Sequence, residues 1–180
     1  LEFRRVLFRS GGRLLDVLNH AGLALMISLG HRTGLFDAMA SSPAADAATL
    51  AGRAKLNERY VREWLGAMTC GGIVDYDAAK GTYFLPREHA AFLTRAASPG
   101  NMAASMQWIA VLGFVEEEVL DAFRHGRGVP YSAYRRFHEV MAEESAQTVV
   151  AGLMEHILPL VDGLTSRLEA GIDVLDVGCG

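Results

Sequence analysis

The spacing of apolar residues predicts a chain that is mostly helical. Apolar side chains occur on nearly every side of a helix over Arg13–Leu29, so we expect this helix to be buried on more than one face, the second face packing on a partner subunit. The stretch is shorter than the roughly 20 apolar residues of a membrane span. Gly30 and Gly34 are predicted to bracket a turn, followed by a short helix over Leu35–Ala40.

The next segment has the order of elements found in a winged helix-turn-helix domain. Asp46 and Asn57 are residues of the type that caps helix N-termini. A pair of β-type runs follows, joined by a turn that contains Gly81, which is the pattern of a hairpin. The predicted elements are helices over Ala47–Lys55 and Glu58–Cys70 and strands over Ile73–Tyr76 and Thr82–Leu85.

Beyond the break at Ser98-Pro99-Gly100 the pattern is helical again until close to the last residue. One further β-branched run is followed immediately by glycine and predicts a buried strand. The predicted elements are helices over Met102–Phe123, Ser132–Leu158 and Leu160–Glu169 and a strand over Ile172–Val177.

These breaks divide the chain into four parts. Residues 1–10 (LEFRRVLFRS) resemble the translation of a sequencing-adapter oligonucleotide and are predicted to be foreign to the protein. Residues 11–97 form the winged-helix and dimerisation domain, 98–170 a helical linker and pocket region, and 171–180 the start of a cofactor-binding domain. The sequence ends within a glycine motif, which we interpret as the end of a gene fragment.

Charge and cysteine content narrow the function classes. The chain carries 17 basic and 21 acidic residues, a net charge of −4, which disfavours a nucleic-acid binder. Its two cysteines, Cys70 and Cys179, have no partner at metal-ligand spacing. This excludes a disulfide scaffold or zinc finger and indicates a reducing, cytoplasmic location with no metal.

The run V-L-D-V-G-C-G (Val174–Gly180) has the pattern that opens a nucleotide-binding βαβ unit. An acidic residue ends a buried-type strand, and Gly-x-Gly follows because a ligand approaches the backbone too closely for a Cβ. The alternative interpretation is a buried strand with a glycine turn and no ligand.

This run also resembles the first motif of class I S-adenosylmethionine-dependent methyltransferases. The resemblance implies a Rossmann-like cofactor domain, with S-adenosylmethionine bound by Asp176, Gly178, Cys179 and Gly180. Bacterial methyltransferases with an N-terminal winged-helix domain resemble nearly the whole chain after residue 10. The stretches that carry this resemblance are GHRTGLFD (Gly30–Asp37), ERYVREWLGAM (Glu58–Met68) and LPLVDGLTSRLEAGIDVLDVGCG (Leu158–Gly180).

A second motif points to a pocket for the methyl acceptor. The run F-H-E-V-M-A-E-E-S is similar to a helix of plant-type small-molecule O-methyltransferases, in which Phe, Asn and Met reach cofactor and substrate. Phe137 and Met141 match and would share one helix face, whereas His138 stands where the family has Asn. Tyr131 is a further candidate at the pocket edge. The alternative is that Phe137, Met141 and Tyr131 only pack in the core and that His138 is a surface residue.

The resemblance implies a mainly α chain: a winged helix-turn-helix domain with a small β-hairpin, a helical linker, and the first strand of a Rossmann-like domain. The full-length protein would transfer a methyl group to a small molecule and form a homodimer through its N-terminal helices, with no membrane partner. We expect the 180 residues alone to be inactive and residues 172–180 to be poorly supported. The alternative is a winged-helix transcription regulator, which a net charge of only +1 over residues 43–96 disfavours.

Overall fold

The computed structural model describes the backbone of residues 2–178 and the side chains of residues 9–178. Two antiparallel strands accompany the helices in this part of the chain. The helices are α1 (Glu2–Thr33), α2 (Leu35–Ala40), α3 (Ala47–Ala54), α4 (Glu58–Cys70), α5 (Arg87–Leu93), α6 (Met102–Ser105), α7 (Gln107–Gly113), α8 (Glu116–His125), α9 (Phe137–Ser145) and α10 (Leu164–Glu169). The strands are β1 (Asp75–Asp77) and β2 (Thr82–Phe84).

The N-terminal helix is longer than the apolar pattern predicts at both ends. Gly30, predicted to open a turn, lies inside α1, and the turn begins only at Gly34, whose φ of 73° suits a residue without a Cβ. A Cβ on Gly30 would lie 2.5 Å from Cζ2 of Trp64 and 2.7 Å from Cε2 of Phe36. Gly30 is therefore required by close packing of helices, which leaves no local signature in a single sequence.

The length of α1 also corrects the expectation that this stretch is too short for a membrane span. Residues Arg9–Thr33 form 25 helical residues and contain an 18-residue window with a mean hydropathy of 1.2, which would suffice by length and composition alone to cross a bilayer. The core helix of a folded domain passes the same test. Ala24, Ile27 and His31 of α1 are buried in the domain, so the C-terminal part of α1 is a core helix of this kind.

Helices α1 to α5 and the hairpin enclose the main hydrophobic core. The predicted caps are confirmed: Asp46 accepts a hydrogen bond from Thr49 N at 2.8 Å, and Asn57 accepts one from Arg59 N at 3.1 Å. The apolar face of α4 packs inward, and the Trp64 ring meets Phe36 edge to face at a centroid distance of 5.2 Å. Tyr60, predicted on the same apolar stripe, is instead 73% exposed.

The hairpin forms the wing of the domain. Tyr76 pairs with Tyr83 across β1 and β2, and their rings lie 4.6 Å apart. Ala45 forms an additional bridge to Tyr83, so the wing is attached to the segment before α3. Asp77 accepts hydrogen bonds from the amides of Ala79 and Lys80, which closes the turn. The helix, helix, helix, hairpin order predicted from the sequence is confirmed.

The helical linker region is more broken than predicted. The continuous helix expected over Met102–Phe123 is divided among α6, α7 and α8, and the one expected over Ser132–Leu158 begins only at Phe137. After Ser145 the backbone widens into two π-helical segments, Ala146–Val150 and Leu153–Ile157. Short apolar periodicity cannot distinguish one bent helix from several short ones, because all of them bury residues at the same spacing.

The strand predicted over Ile172–Val177 is not formed in the described residues. Residues 171–176 follow no regular secondary structure, and Leu175 is 85% exposed. A strand needs a hydrogen-bonded neighbour, and the described part of the chain offers this segment none. The expectation that it is poorly supported agrees with its exposure.

Candidate functional site

Three aromatic rings surround the ring of Phe137 at the start of α9. The ring of Phe137 lies 5.1 Å from Trp108, 5.1 Å from Tyr131 and 5.5 Å from Tyr134, measured between centroids. We call these residues the aromatic cluster. Trp108 comes from α7 and Tyr131 from a 3-10 turn before α9, so the cluster brings together elements far apart in sequence. Tyr131 is 66% exposed, which leaves one side of the cluster open to a ligand.

The predicted pocket residues lie at this cluster. His138 is exposed, and its ring lies 5.6 Å from Phe137 and 6.2 Å from Tyr131. Met141 follows Phe137 by one helical turn and is partly exposed. The structure therefore places Tyr131, Phe137 and His138 together, with Met141 beside them on α9.

Arg136 fixes the turn that enters α9. It adopts a left-handed conformation with φ of 62°, which is uncommon for a residue with a Cβ. Its guanidinium donates to both carboxylate oxygens of Glu139, at 2.9 and 2.7 Å, and to Oε1 of Gln107 at 2.8 Å. The bidentate contact holds the pKa of the Glu139 carboxyl below its ordinary value. These bonds hold the backbone of Arg136 in place immediately before Phe137.

Glu143, on the next turns of α9, contacts two other helices. Its Oε1 lies 2.5 Å from Nε2 of His31 in α1, and its Oε2 accepts a hydrogen bond from Gln107 Nε2 at 2.6 Å. His31 and Gln107 are both almost fully buried. Glu143 therefore joins the winged-helix domain to the linker region.

Glu144 and Gln147 also form hydrogen bonds to residues of other segments. Glu144 accepts hydrogen bonds from Ser105 Oγ at 2.7 Å and Trp108 Nε1 at 2.6 Å. The side chain of Gln147 accepts from the Asn101 backbone amide at 2.9 Å and donates to its carbonyl at 3.2 Å. We call the contacts of Glu143, Glu144 and Gln147 the polar seam, because they join α9 and the segment after it to the rest of the fold.

The candidate cofactor residues lie apart from the aromatic cluster. Asp176 and Gly178 are in the exposed segment 171–178, and Gly178 has φ of 83° with no atom within 4 Å of the position of a Cβ. Cys179 and Gly180 lie outside the described residues. The described residues contain no group of three or more His, Cys, Asp or Glu side chains arranged to hold a metal ion.

A comparison with protein families identifies the N-terminal domain. Residues 21–95 match the family described as the Rv2258c-like winged HTH domain. This range runs from the second half of α1 through the wing to the 3-10 turn after α5. The match covers 75 of the 180 residues and agrees with the helix, helix, helix, hairpin order of this segment. A search of curated proteins gave no match.

Solved structures similar to the chain include methyltransferases. Human N-acetylserotonin methyltransferase in complex with SAM matches with a TM-score of 0.60 and 18% identity, over 86% of this chain and 49% of that one. The structure of PigF with SAH matches with a TM-score of 0.57 and 22% identity, over 78% of this chain and 41% of that one. The mitomycin 7-O-methyltransferase MmcR matches with a TM-score of 0.56 and 17% identity, over 92% of this chain and 45% of that one. The chain spans less than half the length of each, and over that part it has their fold.

Sequence reasoning did not find the polar seam. The carboxylate partner of His31 lies 112 positions further along the chain. Glu143 and Glu144 fall inside the F-x-x-x-M-x-x-x-S motif at positions that the motif leaves open. Contacts over such a separation leave no periodic signal in one sequence.

Proposed function

We propose that this chain is the N-terminal part of an S-adenosylmethionine-dependent methyltransferase that modifies a small molecule. The observation that carries the proposal is the fit of 86% of the chain to a methyltransferase solved with SAM. The glycine motif at residues 174–180 adds independent support from the sequence.

We propose that Asp176, Gly178, Cys179 and Gly180 begin the cofactor site. The positive φ of Gly178 and the open space beside its Cα fit a ligand that approaches the main chain closely. Asp176 precedes this turn and would hold the glycine loop or the amino group of the cofactor. The bound cofactor would supply the electrophilic methyl group.

We propose that the aromatic cluster borders the methyl acceptor. The exposed ring of Tyr131 and the half-buried ring of Phe137 offer apolar surface to a planar molecule. His138 adds one ring nitrogen able to donate a hydrogen bond, and Met141 adds a flexible apolar side chain. Orienting the acceptor toward the methyl group and excluding water are the contributions expected from such a surface.

The regulator alternative receives no specific support from the candidate recognition helix α4. Its apolar face is committed to the core, with Val61, Trp64 and Leu65 buried. Its exposed basic residues are Arg59 and Arg62, and Arg62 is paired with Glu58 on the same helix, which leaves Arg59 as the single cation of α4 outside an ion pair in the described chain. A DNA-binding helix instead presents free cations to phosphates.

The proposal also includes a homodimer in the cytoplasm and no activity for these 180 residues alone. Helix α1 carries exposed apolar side chains that a partner subunit would cover. The exposure of Leu175 supports inactivity, because the strand that would support the cofactor loop has no neighbour in the described residues.

Calorimetry with S-adenosylhomocysteine on the protein completed by its downstream reading frame tests the proposal. Gly178→Ala should weaken binding at least about tenfold, because a Cβ is strained at positive φ and would meet the ligand. Gly171→Ala is the matched control, since Gly171 also has positive φ and open surroundings; it should change affinity by less than about twofold. Absence of binding by the unaltered complete protein would refute the assignment.

A further inference from the structure

We propose that His31 and Glu143 are positioning residues that fix the orientation of α9, and through it Phe137 and His138. The inference rests on the proposed function only in taking the aromatic cluster as the acceptor site. The effect of the His31–Glu143 contact on the orientation of α9, which we call the coupling, can be tested on the 180-residue chain itself.

The contact lies at the junction of two regions. His31 belongs to the winged-helix domain and is 2% exposed, whereas Glu143 belongs to the linker region and is partly exposed. Burying an imidazole beside a carboxylate costs solvation free energy unless both groups are hydrogen bonded. Both are bonded here, so the pair is compatible with the core and specific to one arrangement of the two helices.

The hydrogen bonds around the pair form a chain with fixed polarity. The side-chain amide nitrogen of Asn101 lies 3.5 Å from His31 Nδ1, so Nδ1 accepts and Nε2 carries the proton donated to Glu143. Gln107 Nε2 donates to the other carboxylate oxygen, and Gln107 Oε1 accepts from Arg136. Reversing the Gln107 amide or moving the His31 proton to Nδ1 would place two donors face to face.

This chain of hydrogen bonds holds α9 near both of its ends. Arg136 immediately precedes Phe137, and Glu143 lies six residues after it. Val140 is the only buried residue of α9 in the described chain, and the half-buried ring of Phe137 packs edge to face on Trp108 of α7. The polar contacts add directional restraints to this packing, and the proposal is that they fix the direction in which Phe137 and His138 point.

Hydrogen exchange on the 180-residue chain tests the coupling. Glu143→Gln should place the new amide against the Gln107 amide, and exchange over residues 137–145 should accelerate at least about tenfold. Exchange over residues 58–70, in α4, should change by less than about twofold. Glu155→Gln removes the same charge from an exposed residue and should leave both regions unchanged.

The swap Gln107→Glu with Glu143→Gln gives the decisive comparison. It restores every donor–acceptor pair, because the amide introduced at position 143 then donates to the carboxylate introduced at position 107, which still accepts from Arg136. Exchange over residues 137–145 should return to within about threefold of the unaltered chain. Recovery in the double variant supports positioning even where Glu143→Gln loosens α4 as well, and failure to recover overturns it.

The complete enzyme separates this inference from the proposed function. Glu143→Gln should raise the KM for the acceptor about fivefold or more, while affinity for S-adenosylhomocysteine stays within about twofold, and the swap should reverse the change in KM. An unchanged exchange rate in Glu143→Gln refutes the positioning role whatever the activity. If hydrogen exchange over residues 137–145 responds to Glu143→Gln as expected but the complete protein binds no S-adenosylhomocysteine, only the proposed function is refuted.

Discussion

Gly30 lies where α1 passes closest to the aromatic residues of the core. The position that a Cβ would occupy is within 3.0 Å of carbon atoms of both Trp64 and Phe36, which are buried and packed against each other. Neither ring can move away without disturbing the core. One hydrogen atom in place of a methyl group therefore sets how closely α1 and α4 approach.

Gly30→Ala should lower the free energy of unfolding by about 1–3 kcal/mol, the usual cost of overpacking a core. Gly22→Ala, in the same helix with no neighbour within 4 Å, should raise it by about 0.5–1 kcal/mol because alanine loses less backbone entropy. Urea titration of both variants measures the difference. Equal effects of the two substitutions would contradict the packing argument.

Asp46 predicts a pH dependence at the start of α3. Hydrogen bonds from Thr49, through its side chain and its amide, lower the pKa of the Asp46 carboxyl below its ordinary value of 3.8. A group whose pKa is lowered by folding stabilises the folded state at pH values above its unfolded pKa and loses that contribution as the pH falls through its folded pKa.

The stability difference between the unaltered chain and Asp46→Ala should therefore be constant from pH 7 to about pH 5 and shrink below about pH 4. Urea titrations across this range provide the measurement. Asp46→Asn keeps a capping oxygen without the charge and should show less of the dependence. A stability difference between the unaltered chain and Asp46→Ala that increases as the pH falls would contradict a lowered pKa of Asp46.

At the scale of elements, prediction succeeded where a local signal exists. Asp46 and Asn57 marked the starts of α3 and α4 because a capping side chain bonds an amide two or three residues away. The breaks between α6, α7 and α8 had no such marker. The partners of Glu143 and Glu144 come from three different helices, and their positions depend on the assembled fold. Part of the candidate site was thus predictable from the motif around Phe137, whereas the contacts that support it were not.

At the scale of the whole molecule, the exposed side of α1 is an apolar surface without a partner among the described residues. At about 100° per residue, Leu14, Leu18, Leu25 and Leu29 fall on one stripe, about 60° wide, opposite the buried Ile27. All four are exposed. The stripe continues into an apolar groove between α1 and α4 of about 420 Å³, lined by Leu29, Tyr60 and others. A continuous apolar surface of this kind fits the proposed dimer.

Light scattering at micromolar concentration should give twice the monomer mass. Leu14→Lys with Leu18→Lys should shift the protein to the monomer, because two charges would be buried in the interface. Phe123→Lys, on the exposed side of α8, provides a control that should remain dimeric. A monomeric unaltered chain would remove the dimer from the proposal.

The indole of Trp64 determines how α1 is turned about its own axis. Its Nε1 donates to the carbonyl of Met26 at 2.8 Å, and its ring covers Gly30 one turn later, so it contacts one full turn of α1 on the inner side. The rotation of α1 also sets the direction in which the exposed leucine stripe on its far side faces. A substitution of the buried Trp64 would therefore change how a neighbouring molecule binds to this stripe, although the two never come into contact.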